Sequence, residues 1–181
     1  KPIDKFEGSE GDIILHSRVA SEIHRVIPKE GNVDIEIGEK QILFRMGNTV
    51  LTSKLIEGNF PNYRQVIPTS FSKKMEIGKE VFHSCLKRMI NVTSESNPYV
   101  KLIFSPDKLT ITANTNEIGE GKETLPIKYS GQEFSVFLNP LFLSDPLKVM
   151  SVDNFSFQMN DGFSPVSIIG DEGFLYIMMP V

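Results

Sequence analysis

The chain reads as an α+β protein built from a repeated β-α-β-β-β unit, with helices packed on antiparallel sheets. Two patterns support this reading. Apolar and polar residues alternate over most of the 181 residues, which is the period of half-buried strands. Helical spacing occurs in only three places, and each directly follows a strand-like run.

In chain order, GDIILH (11–16) is a leading strand. It runs into SRVASEIHRVI (17–27), a helix whose Val19, Ile23, Val26 and Ile27 share a face. VDIEIG (33–38), QILFRM (41–46) and TVLTSKL (49–55) follow as strands. KKMEIG (73–78) opens a second unit and leads into KEVFHSCLKRMI (79–90). In that helix Val81, Phe82, Cys85, Leu86, Met89 and Ile90 lie on one side. VKLIF (100–104), KLTITAN (108–114) and EGKETLPIKY (120–129) are its strands. EFSVF (133–137) opens the third unit, with NPLFLSDPLKVM (139–150) as its helix. Asn139 and Pro140 form an N-cap and first-turn pair. Pro146 removes a helical hydrogen bond and is expected to kink or shorten the helix. NFSFQM (154–159), PVSIIG (165–170) and FLYIMM (174–179) complete the unit.

The period is about 60 residues. One helix over four strands covers one sheet face and leaves open edges. Two units on joined sheets, related by an approximate twofold, make a sensible domain. Three units therefore make one domain and an orphan half, which is expected to be the first. The segment NFPNYRQVIPTSFSK (59–73), with Pro61 and Pro68, reads as the extended connector.

Composition narrows the function. Hydrophobic residues make up 40% and charged residues 23%, as in an ordinary globular protein. No apolar run reaches the roughly 18 residues of a membrane helix, and KPIDKFEGSEGD has no signal-peptide h-region. The single cysteine, Cys85, excludes an intrachain disulfide, and a reducing, cytoplasmic setting is expected. Net charge is −4. Residues 1–71 carry 9 basic and 10 acidic side chains, and residues 72–181 carry 10 and 13. Neither part has the basic excess of a protein that grips nucleic acid tightly.

No catalytic motif is present. His16, His24 and His83 have no ligand at metal spacing, so they read as packing or solvated side chains, and no metal or cofactor is expected. Cys85 lies on an apolar helix face with no redox partner. Asp171 and Glu172 are adjacent in a turn, not set across a cleft. Two constellations remain. Arg18 and Arg25 share a helix face, Lys29 follows, and Lys87, Arg88 and Lys148 lie on the other helices. These six could face phosphates, or could be a solvated surface in which Glu22 neutralises Arg18 and Arg25. Phe163, Ile177 and Met179 could pack in the core, or Met179 could serve an adaptable binding surface.

The strings TSKLIEGNFPNYRQVIP (52–68), ITANTNE (111–117), KYSG (128–131) and YIMMP (176–180) resemble landmarks of the bacterial sliding clamps, the beta subunits of DNA polymerase III. The resemblance runs nearly the whole length. It implies the DNA-clamp fold, with residues 1–68 as the second half of a middle domain and 69–181 as the C-terminal domain of a longer protein. It implies no catalysis but a processivity factor: a ring dimer that encircles DNA without reading sequence. Such a ring holds DNA polymerase, clamp loader and repair proteins through short motifs of the form Q-L-x-L-F. The matching groove positions are Pro61, Gln65, Val66, Asn97, Asn139, Phe142, Phe163, Pro165, Ile177, Met179 and Pro180. Gln65 stands where the family often has Arg, Asn97 where it often has an aromatic residue, and Val181 where it has a second Met. The same resemblance turns Arg18, Arg25, Lys29, Lys87, Arg88 and Lys148 towards DNA, and places Asn91 and Val92 at the subunit interface. The alternative from the residues alone is a small ligand-binding or enzymatic α+β domain, which would need a polar cleft with perturbed titratable groups.

Overall fold

The structure, a computed structural model, describes residues 12–94, 97–115 and 119–181. Gly11 of the expected leading strand and residues 116–117 of the ITANTNE string lie outside the described residues. The chain divides into an N-terminal module ending at Asn62 and a C-terminal module, Tyr63–Val181. This division falls ahead of the expected 68/69 boundary, and Tyr63–Val66, expected as extended connector, forms a short 3-10 helix.

The N-terminal module holds α1 (Ser17–Val26), β1 (Asp34–Ile37), β2 (Gln41–Met46) and β3 (Thr49–Lys54), with the three strands antiparallel in that order. Ile42, Phe44 and Met46 alternate along β2 onto one face and are buried there, with Val19, Ile23 and Val26 of α1 packed on them. His16 caps α1, its Nδ1 accepting from the Arg18 N–H at 3.2 Å. Residues 12–16 are not a strand, contrary to expectation. A lone bond from the Ile56 N–H to the Ile14 carbonyl, 3.0 Å, ties them to the end of the sheet, which is too little to build a ladder.

The C-terminal module runs β4 (Lys73–Gly78), α2 (Lys79–Ile90), β5 (Val100–Ser105), β6 (Lys108–Thr115), β7 (Gly119–Lys128), β8 (Phe134–Leu138), α3 (Pro140–Val149), β9 (Asn154–Met159), β10 (Val166–Ile169) and β11 (Leu175–Met178). Its strands form one antiparallel sheet in the order β11-β10-β9-β4-β7-β6-β5-β8. Replacing each strand by its counterpart in the other repeat turns the first four strands into the last four, which is the signature of a twofold. It also shows an exchange. The leading strand of each repeat pairs with the second strand of the other, β4 with β9 and β8 with β5. Within a repeat, the leading strand meets only the fourth: β4 touches β7 at Glu76–Lys128 and Ile77–Ile127. The counterpart between β8 and the end of β11 is a single bond from the Val181 N–H to the Phe137 carbonyl, 3.0 Å.

α2 and α3 pack together against this sheet over one core. Phe82, Cys85, Leu86 and Met89 are the buried stripe of α2. Val81, expected on that stripe, is 56% exposed, since it sits about a quarter-turn away at 3.6 residues per turn. α3 continues through Pro146 to Val149 without shortening.

Candidate functional site

One end of the C-terminal module gathers exposed apolar side chains. The β10–β11 ladder ends at Val166–Met178, so Pro165 and Met179 leave it side by side. Past Met179 and Pro180, Val181 crosses to Phe137 of β8. Asn139 follows β8 and caps α3, its Oδ1 accepting from the Leu141 N–H at 2.9 Å. The first turn of α3 then presents Leu141 and Phe142 to solvent. On the other side, Gly162 approaches β8 so closely that a Cβ there would stand 3.2 Å from the Ser135 carbonyl.

The loop between β9 and β10 is built to hold Phe163 out. Asn160 anchors it: its Oδ1 accepts from the Ser72 N–H at 2.7 Å, and its Nδ2 donates to the Ser70 carbonyl at 3.0 Å. Asp161 closes an Asx turn, accepting from the Phe163 N–H at 2.9 Å, the Ser164 N–H at 2.7 Å and the Ser164 hydroxyl at 2.9 Å. These bonds, with Lys73 nearby, hold the Asp161 carboxyl below the usual carboxylate range. Phe163 itself is 89% exposed, Met179 57% and Phe142 55%. Ile177, Pro165 and Pro180 are half-buried. Phe163 and Met179 are exposed, and Ile177 is half-buried on β11 outside the buried core.

Gln65 and Val66 lie exposed on the 3-10 helix, and Pro61 is exposed in the N-terminal module. Asn97 lies just ahead of β5, its Nδ2 donating to the Asn114 carbonyl at 2.7 Å. Leu141 and Asp161 were not among the candidates. The Asn-Asp-Gly run at 160–162 is the turn signal that points to the second.

The basic side chains divide into paired and unpaired. Arg25 bonds Glu22 at 2.6 Å, Lys148 bonds Asp145 at 2.8 Å, and Arg88 forms a two-point pair with Glu123 on β7. Arg18 and Lys87 form no ion pair among the described residues. Lys29 is exposed beyond α1. Burial lowers the His83 pKa, and Lys87, Lys148 and Lys79 lower it further against an opposing Glu80. Lys87 is exposed on α2, whereas Lys79 is mostly buried and donates to the Met150 carbonyl at 3.1 Å. Asn91 is exposed at the end of α2, while Val92 packs half-buried against the core.

Burial, with Glu123 beside it, pushes the Cys85 thiol up to about 12, so its thiolate is scarce at neutral pH. Among the described residues, no group of three His, Cys, Asp or Glu side chains is placed to hold a metal. No described helix is long and apolar enough to cross a membrane.

The profile for the C-terminal domain of the DNA polymerase III beta subunit matches residues 64–181, and that for its central domain matches residues 2–62. The chain belongs to the DNA polymerase III beta subunit family. Among curated relatives, the beta sliding clamp of Chlamydia muridarum is 33% identical over 171 residues, covering 94% of this chain and 47% of that protein. The beta sliding clamp of Escherichia coli K12 is 30% identical over 172 residues, covering 93% and 47%. Solved beta-subunit structures agree. The sliding clamp of Bartonella birtlesii, bound to griselimycin, superposes with a TM-score of 0.87 at 28% identity, over 93% of this chain and 47% of that one. The Pseudomonas aeruginosa protein gives 0.87 at 26% identity, with the same two coverages. The chain thus spans about half the length of these relatives.

Proposed function

We propose that the chain is part of a ring-shaped DNA sliding clamp, a non-catalytic processivity factor that tethers DNA polymerase, clamp loader and repair proteins to DNA. The N-terminal module serves as part of the central domain and residues from Tyr63 onward as the C-terminal domain. The exposed end of the β10–β11 hairpin supports this reading most: Phe163, Met179 and Phe142 offer an apolar face for a short peptide with leucine and aromatic ends. Tethering works through effective concentration. A partner held by a ring that cannot leave DNA stays near its substrate without strong contacts of its own. A net charge of −4, with Arg25, Arg88 and Lys148 of the helices each paired to a carboxylate, suits weak phosphate contact that permits sliding. Asn91 and Val92 are assigned to the interface between protomers in the full ring.

A peptide of the form Q-L-x-L-F tests this. Filling the site with two apolar side chains contributes on the order of 3–6 kcal/mol before the cost of ordering the peptide. Calorimetry should therefore show saturable binding at roughly micromolar strength or weaker. Met179→Asp should abolish it, since the charge is desolvated without a partner. Arg18→Ala, on α1, should leave it unchanged. Loss in both variants, or in neither, would place the site elsewhere.

A further inference from the structure

We propose that the outer face of β5 and β8 extends the peptide site and takes the residues ahead of the motif's glutamine when they carry a carboxylate beside an aromatic ring. This inference rests on the tethering reading above and names what such a partner brings outside its motif. The warrant is a group of side chains that turns away from the core. Val136 and Leu138 of β8, and Val100 and Leu102 of β5, point inward, each 2% exposed or less. Residues between them point to the other face, where the ladder sets Lys101 opposite Phe137. Phe137 is 42% exposed. Tyr99, just ahead of β5, meets it edge to face, with ring centroids 6.1 Å apart. Lys101 holds its Nζ 5.6 Å from the centre of the same Phe137 ring. Lys101 forms no ion pair among the described residues. Two rings and an ammonium group without a carboxylate therefore share one outward surface. A partner ring can stack on the first, and a partner carboxylate can pair with the second.

This surface continues into the peptide site. The Val181 N–H donates to the Phe137 carbonyl at 3.0 Å, which lays the end of the chain beside β8. Met179, two residues earlier, is 57% exposed, and Val181 is 71% exposed. Neighbouring strands lie about 4.8 Å apart, so β5 stands about 10 Å from the line of Met179 and Val181, a distance that about three extended residues cross. The motif's leucine and aromatic ends take the side of Phe163 and Met179. Its polar glutamine end is left towards β8, and the residues ahead of it run over Phe137 to Tyr99 and Lys101.

Calorimetric titration of the 181-residue chain with three peptides tests the proposal: Q-L-x-L-F alone, F-E-S-Q-L-x-L-F and F-K-S-Q-L-x-L-F, with the same x in each. The acidic extension should tighten binding about three- to tenfold over the motif alone, through one ring contact and one partly exposed ion pair. It should do so against the chain's net charge of −4. Lys101→Glu should reverse the preference between the two extended peptides, which a loss of folding would not do. Tyr99→Ala should reduce the gain from the acidic extension. If the motif alone binds but the acidic extension adds nothing, the two extensions gain equally, or Lys101→Glu leaves their order unchanged, the inference is overturned and the tethering reading stands. If the motif alone does not bind, both are overturned.

Discussion

Two residues show how tightly single side chains shape the C-terminal module. Tyr129 is buried, and its hydroxyl donates to the Gln132 carbonyl at 2.8 Å. That ring occupies the space where a Cβ on Gly131 would stand, 2.2 Å from Oη. Gly131→Ala must push the ring off its bond, and denaturant unfolding should show a loss of about 1–3 kcal/mol. Asp161 controls Phe163 through the Asx turn. Its carboxyl titrates below the ordinary range in the folded chain, so its contribution is complete above the unfolded carboxylate value of about 3.9. That contribution fades as pH falls through the lower folded value. The protection of the Phe163 and Ser164 amides, taken relative to their intrinsic exchange rates, should fall over that acidic range in the wild type and already be low at neutral pH in Asp161→Ala. Phe163 also marks a limit of legibility. An apolar residue beside a strand has the same pattern whether it enters the core or waits for a partner, and only the geometry of the Asp161 turn separates the two.

At the scale of elements, α2 and β9 occupy the residues their periodicity predicts, because both bury a continuous stripe that alternation or 3.6-residue spacing makes visible. α3 was readable at its start and not at its middle. Asn139 caps it as the Asn-Pro pair suggests, and Asn139→Ala should cost about 1 kcal/mol in thermal or chemical unfolding. Pro146 did not shorten the helix. The carbonyl deprived of its N–H belongs to Phe142, which is exposed, so water can satisfy it. The leading segment 12–16 did not become a strand: Ile13, Ile14 and Leu15 are apolar in succession rather than alternating, and the Ile56 N–H bond to the Ile14 carbonyl alone builds no ladder. Alternation states which face is buried and says nothing about which edge meets which. The exchange of β4 and β8 between repeats was therefore invisible in the sequence.

The whole molecule combines two modules of one family with exposed apolar side chains at one end of the second, and its one cysteine, Cys85, is buried with its thiol pushed up to about 12. Its 181 residues span about half of the beta subunits it resembles, so ring closure is not expected of this chain alone. Incubated with nicked circular DNA and a clamp loader, it should not co-elute with the DNA in gel filtration at physiological salt; stable retention would mean that it closes a ring unaided. The most direct test of the tethering account is a residue-resolved NMR titration of the chain with a Q-L-x-L-F peptide. Saturable shifts centred on Val66, Phe142, Phe163, Ile177 and Met179, with α1 silent, are the predicted result. No saturable shift at those residues, or a response centred on α1 and β1 instead, would contradict it.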